Sequence, residues 1–302
     1  MKKPNLIVIA GPTAVGKTSV SIEIAKHFSA EIISADSRQL YRELEIGTAV
    51  PSLEELNQVK HHFIQSNSID HPVSAGEYEK LAISKIEQLF LKHNTLILTG
   101  GSGLFIDAVT KGIDDSFPSA EPKIREELES MLESNGIQWL QQKLKELDEN
   151  YYKKVDLNNP RRLIRALEIC LSTKKPYSSL LKNKSKIRSF NCIKICLNID
   201  RVDLYERINN RVDSMLSLGL LEEVKSLYPK KHLVSLKTVG YSELFDFLEG
   251  KLKLEEAIEL IKRNSRRYAK RQITWFKRDS NYLWLNPNNI ENIIKEIDLQ
   301  QN

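Results

Sequence analysis

The sequence contains no run of about 18 apolar residues, so no segment is long enough to cross a bilayer as a helix. Its three cysteines, Cys170, Cys192 and Cys196, are too few and too scattered for a disulfide framework. Cys192 and Cys196 lie in an apolar, strand-like run with no other Cys or His nearby, which argues against a metal site there. The apolar stretch after Met1-Lys2-Lys3-Pro4 is too short for a signal peptide and ends in a glycine-rich loop. Together these absences fit a reduced cytoplasm, the expected location. No feature calls for a membrane or for an obligate protein partner.

With 302 residues, 41% of them hydrophobic, the chain can bury a full core and carry one appended lobe. Its net charge of +5 is unevenly spread. Residues 1–150 hold 15 Lys and Arg against 22 Asp and Glu, a net −7; residues 151–302 hold 30 against 18, a net +12. A basic C-terminal half suggests a polyanionic partner; a well-solvated surface is the plainer alternative.

Gly11-Pro12-Thr13-Ala14-Val15-Gly16-Lys17-Thr18 matches G-x-x-x-x-G-K-[ST], the phosphate-binding P-loop. Leu6 to Ala10 before it reads as a buried strand, and Ser19 to Phe28 after it has helical periodicity. That order lets backbone N–H groups surround a phosphate chain at the positive end of a helix. Lys17 adds a point charge, and Thr18 offers a hydroxyl to Mg²⁺. Two companions of hydrolytic P-loops are missing. The best apolar strand, Ile97-Leu98-Thr99-Gly100, does not end in Asp, and no Asn-Lys-x-Asp motif occurs. A motor or a GTPase switch is therefore disfavoured, and the loop is expected to hold a diphosphate for other chemistry.

Further strands are expected at Glu31–Ala35, Thr95–Thr99, Cys192–Ile199 and Tyr282–Leu285, separated by helical stretches. The expected fold is α/β: a P-loop NTPase-like parallel sheet flanked by helices, with a small all-helical insertion. Residues 118–158 form that insertion; ordinary crossover helices are its alternative. Residues 1–117 and 159–302 form the core. Leu254 to Lys277 is the longest unbroken helical pattern. Ligands of such sheets sit beyond the carboxyl ends of the strands, which draws the P-loop, Asp36 and the Gly100–Gly103 turn to one crevice.

Asp36 opens Asp36-Ser37-Arg38-Gln39 at the end of the second strand. A carboxylate there can accept a proton from a nucleophile facing the phosphates, or can N-cap the next helix; on residue type alone the two stand level. Between Lys262 and Arg278 there are eight cations and no acid, with Arg263, Arg267, Lys270 and Arg271 recurring at helical steps. Tyr268 and Trp275 among them read as anchors to the core, with stacking as the alternative. Arg161, Arg162 and Arg165 oppose the dipole of the helix that they begin, so a phosphate or an acidic partner in the insertion is expected beside them. His61 and His62 read as hydrogen-bonding residues, since no third metal ligand is evident.

The ordered series GPTAVGKT (11–18), ADSRQLY (35–41), GTA (47–49), HHF (61–63), GGSGLF (100–105), NPRRLIRALE (159–168), VGYSEL (239–244) and RRYAKRQITWFKR (266–278) closely resembles the tRNA dimethylallyltransferase, or tRNA isopentenyltransferase, family. The match runs from Asn5 to Arg278. The resemblance implies transfer of a dimethylallyl group from dimethylallyl diphosphate to N6 of the adenosine 3′ of the anticodon. It also implies Mg²⁺ as cofactor, tRNAs that read codons beginning with U as substrates, and a helical insertion that grips the anticodon stem-loop. Asp36, Ser102 and Lys17 are then the catalytic candidates, with Gly11 to Thr18 for the diphosphate and Arg211 as a further diphosphate candidate. Asp36, Ser37, Arg38, Gln39, Ser102, Arg125, Arg161, Arg162, Arg165, Arg263, Arg267 and Lys270 are the tRNA candidates. The chain departs from the family pattern at Val50, where Lys is common; at Ser102 and Phe105, where Thr and Tyr are common; and at Asn159, where Asp is common. Val50 removes a charge, whereas Ser102 keeps its hydroxyl. An isopentenyltransferase of free adenine nucleotides needs no basic helix. A small-molecule kinase needs no prenyl donor, and an RNA-binding module needs neither the P-loop nor Asp36.

Overall fold

The computed structural model describes residues 3–113, 122–181 and 186–301, and its chain divides into two compact units, Met1–Gly112 with Ile187–Asn302, and Ile113–Lys186. The first unit holds six parallel strands: β1 (Asn5–Ala10), β2 (Ile32–Ser34), β3 (His61–His62), β4 (Thr95–Gly100), β5 (Asn191–Leu197) and β6 (Leu283–Leu285). Their order is β3-β2-β4-β1-β5-β6. β1 is central, with Asn5 level with Thr95 on one side and Asn191 on the other.

Both faces of this sheet are covered, so its inner strands are apolar throughout rather than alternating with polar residues. Ile7 and Ile9 point to one cluster, with Ile24 of helix Lys17–His27 and Ile208 of helix Arg201–Ser217. Leu6, Val8 and Ala10 point to the other, with Tyr78 of helix Ala75–Phe90 and Ile106 of helix Gly103–Thr110. A third cluster joins Leu220, Val224, Tyr241, Leu244 and Ile261 from three helices to Tyr41 and Leu44, behind the segment that follows β2. β3, only two residues long, is a strand that the apolar pattern does not announce.

The second unit is wider than the insertion of residues 118–158 expected from the sequence. Pro118 lies outside the described residues. Helix Pro160–Thr173, expected in the core, turns Leu163, Ile164, Ala166 and Leu167 to Leu128, Leu140 and Leu144 of Pro122–Leu147. Burial of that apolar face, not the proline before it, decides which unit the helix joins. Asn159 accepts the Arg162 N–H and caps this helix, so Asn does there what Asp would do. Pro122–Leu147 breaks at Gly136, whose φ of 74° and ψ of 179° are not helical.

Candidate active site

The strand order brings the expected residues together. β2, β4 and β1 are adjacent and parallel, so the segments leaving their carboxyl ends share one edge. These segments are Asp36–Gln39, Gly101–Gly103 and Gly11–Gly16. Helix Lys17–His27 starts from Gly16, whose φ of 101° suits glycine, and no described side chain caps it. Its first turn carries no acid, which leaves the positive end of the helix to an anion. Ala14, at φ 63°, also takes a left-handed turn, at some cost for a residue with a Cβ.

Lys17 Nζ donates to Pro12 O at 2.8 Å and so lies along the loop. Loss of hydration brings its ammonium down to about 8, against an opposing pull from Asp36 and with a further push from Arg211. Arg211, from helix Arg201–Ser217, reaches the same loop, with Nη1 3.3 Å from Thr13 Oγ1 and Nη2 3.4 Å from Thr48 O. Burial holds its guanidinium below the usual range, while Asp36 opposes that shift. Two cations and one carboxylate thus face each other across the crevice.

Asp36 is followed by a turn, not by the helix that the capping reading expected. Oδ1 accepts the backbone N–H of Arg38 at 2.8 Å and of Gln39 at 3.3 Å, closing a turn. Among the described residues no donor falls on Oδ2. Ser102 begins helix Gly103–Thr110 but does not cap it. Its Oγ instead accepts the Ser37 N–H at 3.0 Å and donates to Ser37 Oγ at 3.1 Å. Tyr268 completes this corner; burial pushes its hydroxyl up to about 12, and Asp36 adds to the rise.

Arg38 and Gln39 face inward. Arg38 Nη1 donates to Ser235 O at 2.8 Å. Gln39 Nε2 donates to Thr48 O at 3.2 Å and Ala49 O at 2.8 Å, which leaves Oε1 as its free end among the described residues. One residue was not singled out from sequence. Gln272 accepts the Thr13 N–H on Oε1 at 2.9 Å and donates from Nε2 to Gly101 O at 2.9 Å. Its only signal was its place in the AKRQ string.

Helix Leu254–Phe276 turns Ala269, Gln272 and Phe276 inward. Arg263, Arg267 and Lys270 are exposed and have no ion-pair partner among the described residues. Lys262 instead pairs with Asp213 at 2.8 Å, and Arg266 donates to Asn209 Oδ1 at 2.6 Å. Trp275 is an anchor, its Nε1 donating to Asp107 Oδ2 at 3.0 Å.

In the second unit, Arg125 forms a two-pronged pair with the buried carboxylate of Glu168, and Arg165 reaches Glu168 Oε2 at 3.4 Å. Arg161 and Arg162 are exposed. His62 Nε2 lies 2.5 Å from Glu31 Oε2, and His61 Nδ1 lies 2.8 Å from Val59 O.

A family profile described as IPP transferase matches residues 39–279. The tRNA dimethylallyltransferase of Christiangramia forsetii is 54% identical over 298 residues, which is 98% of each chain. That of Flavobacterium psychrophilum is 55% identical over 286 residues, 92% of each. The chain belongs to the tRNA dimethylallyltransferase family. Solved structures agree. The full-length tRNA isopentenylpyrophosphate transferase of Bacillus halodurans is 38% identical, with a TM-score of 0.74, covering 99% of this chain and 97% of its own. A eukaryotic dimethylallyltransferase acting on tRNA is 26% identical, with a TM-score of 0.80, covering 98% of this chain and 77% of its own. Like other tRNA dimethylallyltransferases, this chain is a prenyltransferase. These relatives favour that reading over a free-nucleotide transferase or a kinase.

Proposed function

We propose that the chain moves the dimethylallyl group of dimethylallyl diphosphate to N6 of the adenosine 3′ of the anticodon, in tRNAs that read codons beginning with U. The observation that carries this is the meeting of an uncapped, Lys17-bearing helix start with the Asp36 carboxylate at one sheet edge.

In the reaction the C1–O bond breaks and its electron pair leaves with diphosphate. The N6 lone pair forms the new C1–N bond, and N6 gives up a proton. Lys17, Arg211 and the loop N–H groups stabilise the charge that grows on the leaving diphosphate. Asp36 accepts the N6 proton through Oδ2 while Oδ1 stays in its turn, and Ser102 orients the amine. The adenine is flipped from the anticodon loop to reach this enclosed corner.

Mg²⁺ is a hard cation that keeps several waters and needs one or two protein ligands. The Thr18 hydroxyl, together with diphosphate oxygens, suits it. Among the described residues no trio of His, Cys, Asp or Glu offers another site. When bound, the ion would neutralise diphosphate charge.

The exposed row Arg263, Arg267 and Lys270 meets tRNA phosphates, and the Ile113–Lys186 unit contacts the anticodon stem-loop through Arg161 and Arg162, with Arg125 and Arg165 held by Glu168. Cytoplasmic tRNA is the substrate pool; no helix among the described residues is long and apolar enough to cross a membrane. Incubation with radiolabelled dimethylallyl diphosphate, Mg²⁺ and bulk tRNA tests the proposal. Label should enter tRNA; label retained only in free nucleotide, or none transferred, would overturn it.

A further inference from the structure

The buried side chain of Gln272 is shared between two loops that come from different strands. Thr13 lies 259 residues away in sequence and Gly101 lies 171 away. A carboxamide donates from its nitrogen and accepts on its oxygen, and here both ends are used. The fit is close. A Cβ added at Gly101 would stand 2.2 Å from Gln272 Nε2, so the carbonyl can approach the amide only because residue 101 is glycine. The loop needs such an outside hold. Its next residue, Ala14, sits at φ 63°, a conformation that Ala does not favour. Thr13 is also where Arg211 attaches, through Oγ1.

We propose that Gln272 is a positioning residue for the diphosphate loop. It fixes the direction of the Thr13 peptide, and with it the approach of Arg211, and it ties that loop to the turn that carries Ser102. Gln272 touches no reacting atom. The role rests on the reading of residues 11–18 as the diphosphate site. It goes beyond that reading by assigning part of donor binding to a residue of the RNA-facing helix.

Gln272→Met keeps the volume and loses both bonds. In the full chain it should weaken binding of inorganic diphosphate with Mg²⁺, and raise the KM for dimethylallyl diphosphate, by about tenfold each, the factor that one lost hydrogen bond commonly carries. Affinity for tRNA should stay within about twofold. Gln272→Glu gives a second measurement if the Met variant folds poorly. A protonated carboxyl can donate to Gly101 O and accept from Thr13 N–H, as the amide does, whereas an ionised one only accepts. The donor KM of Gln272→Glu, taken relative to wild type at each pH, should therefore climb as that carboxyl ionises. A packing role alone gives no such profile.

Wild-type binding of diphosphate, lost in Lys17→Ala, checks the underlying reading. If wild type binds diphosphate and Gln272→Met binds it equally well, with a flat profile for Gln272→Glu, the positioning role is overturned and the loop assignment stands. A parallel fall in diphosphate and tRNA affinity would also overturn it, in favour of a general structural role. If wild type fails to bind diphosphate, both readings fall together.

Discussion

The Tyr241 hydroxyl donates to Glu223 Oε1 at 2.6 Å, and the same carboxylate receives three successive backbone N–H groups, from Glu45, Ile46 and Gly47 at 2.7–3.1 Å. This knot shapes the loop whose carbonyls, Thr48 O and Ala49 O, hold Gln39 and Arg211. Glu223→Gln replaces one acceptor oxygen by an amide NH2, a donor, and leaves a part-buried donor without its acceptor. We expect a stability loss of about 1–3 kcal/mol in urea melts. The KM for the prenyl donor should rise as well, because Arg211 loses its backing. A stability loss with an unchanged donor KM would separate the knot from the diphosphate site.

The proposed proton transfer and the observed turn fall on different oxygens of Asp36, and substitution can divide them. Asp36→Asn keeps an oxygen for the Arg38 and Gln39 amides but cannot take a proton. Single-turnover transfer should fall by about 10²-fold or more, with an almost unchanged melting temperature. Asp36→Ala should add a stability loss of about 0.5–2 kcal/mol from the opened turn. Near-normal transfer by the Asn variant would leave Asp36 as a turn residue only.

Lys17 makes donor binding depend on pH. Desolvation lowers its ammonium to about 8 from the usual 10.5, so the folded chain binds fewer protons than the unfolded chain between those values. The penalty of burying the charge is fully present below about pH 8, and Lys17 contributes a rise in stability with pH from there to about 10.5. A diphosphate restores the charged form. Its binding should therefore take up a proton at pH 9 and little at pH 7, and affinity should weaken above about pH 8. Calorimetry in buffers of different ionisation heat reads the uptake, with Lys17→Met giving the part due to the ligand's own titration. Equal uptake in both chains would mean that Lys17 is not the group that the diphosphate meets.

Arg263, Arg267 and Lys270 stand exposed on one helix face without acidic partners among the described residues. Replacing all three by Gln keeps helix propensity and removes three charges. Each lost phosphate contact should flatten the plot of log K against log salt by about 0.7–0.9. Binding should weaken for all tRNAs alike, with diphosphate affinity unchanged. An unchanged slope would shift the RNA path to Arg161 and Arg162.

Much of the site was legible because its signals are local. A glycine-rich loop between a strand and a helix, and an Asp at the end of the next strand, are short patterns with backbone causes. Gln272 was not legible. Its role depends on two carbonyl and amide groups brought to it by β1 and β4, and nothing near residue 272 announces them. The bonds of Arg38 and Gln39 to Ser235, Thr48 and Ala49 are all to backbone, which sequence does not display. Lys262 and Arg266 look like Arg263 and Arg267 in a string of cations, yet helix Arg201–Ser217 supplies them with Asp213 and Asn209. The unit boundary was misjudged for a related reason. Helix Pro160–Thr173 is amphipathic either way, and only its partner helix decides where it belongs.

Of the six described strands, central β1 is made before the others. β1 leaves the ribosome with neither of its neighbours, which begin at Thr95 and Asn191, and the Thr13 amide waits 259 residues for its partner. At roughly 5–20 residues per second, that wait is on the order of 13–50 s. Residues 11–18 are thus made long before the Gln272 side chain that holds them. A nascent chain carries that loop without the Thr13–Gln272 bond until helix Leu254–Phe276 emerges.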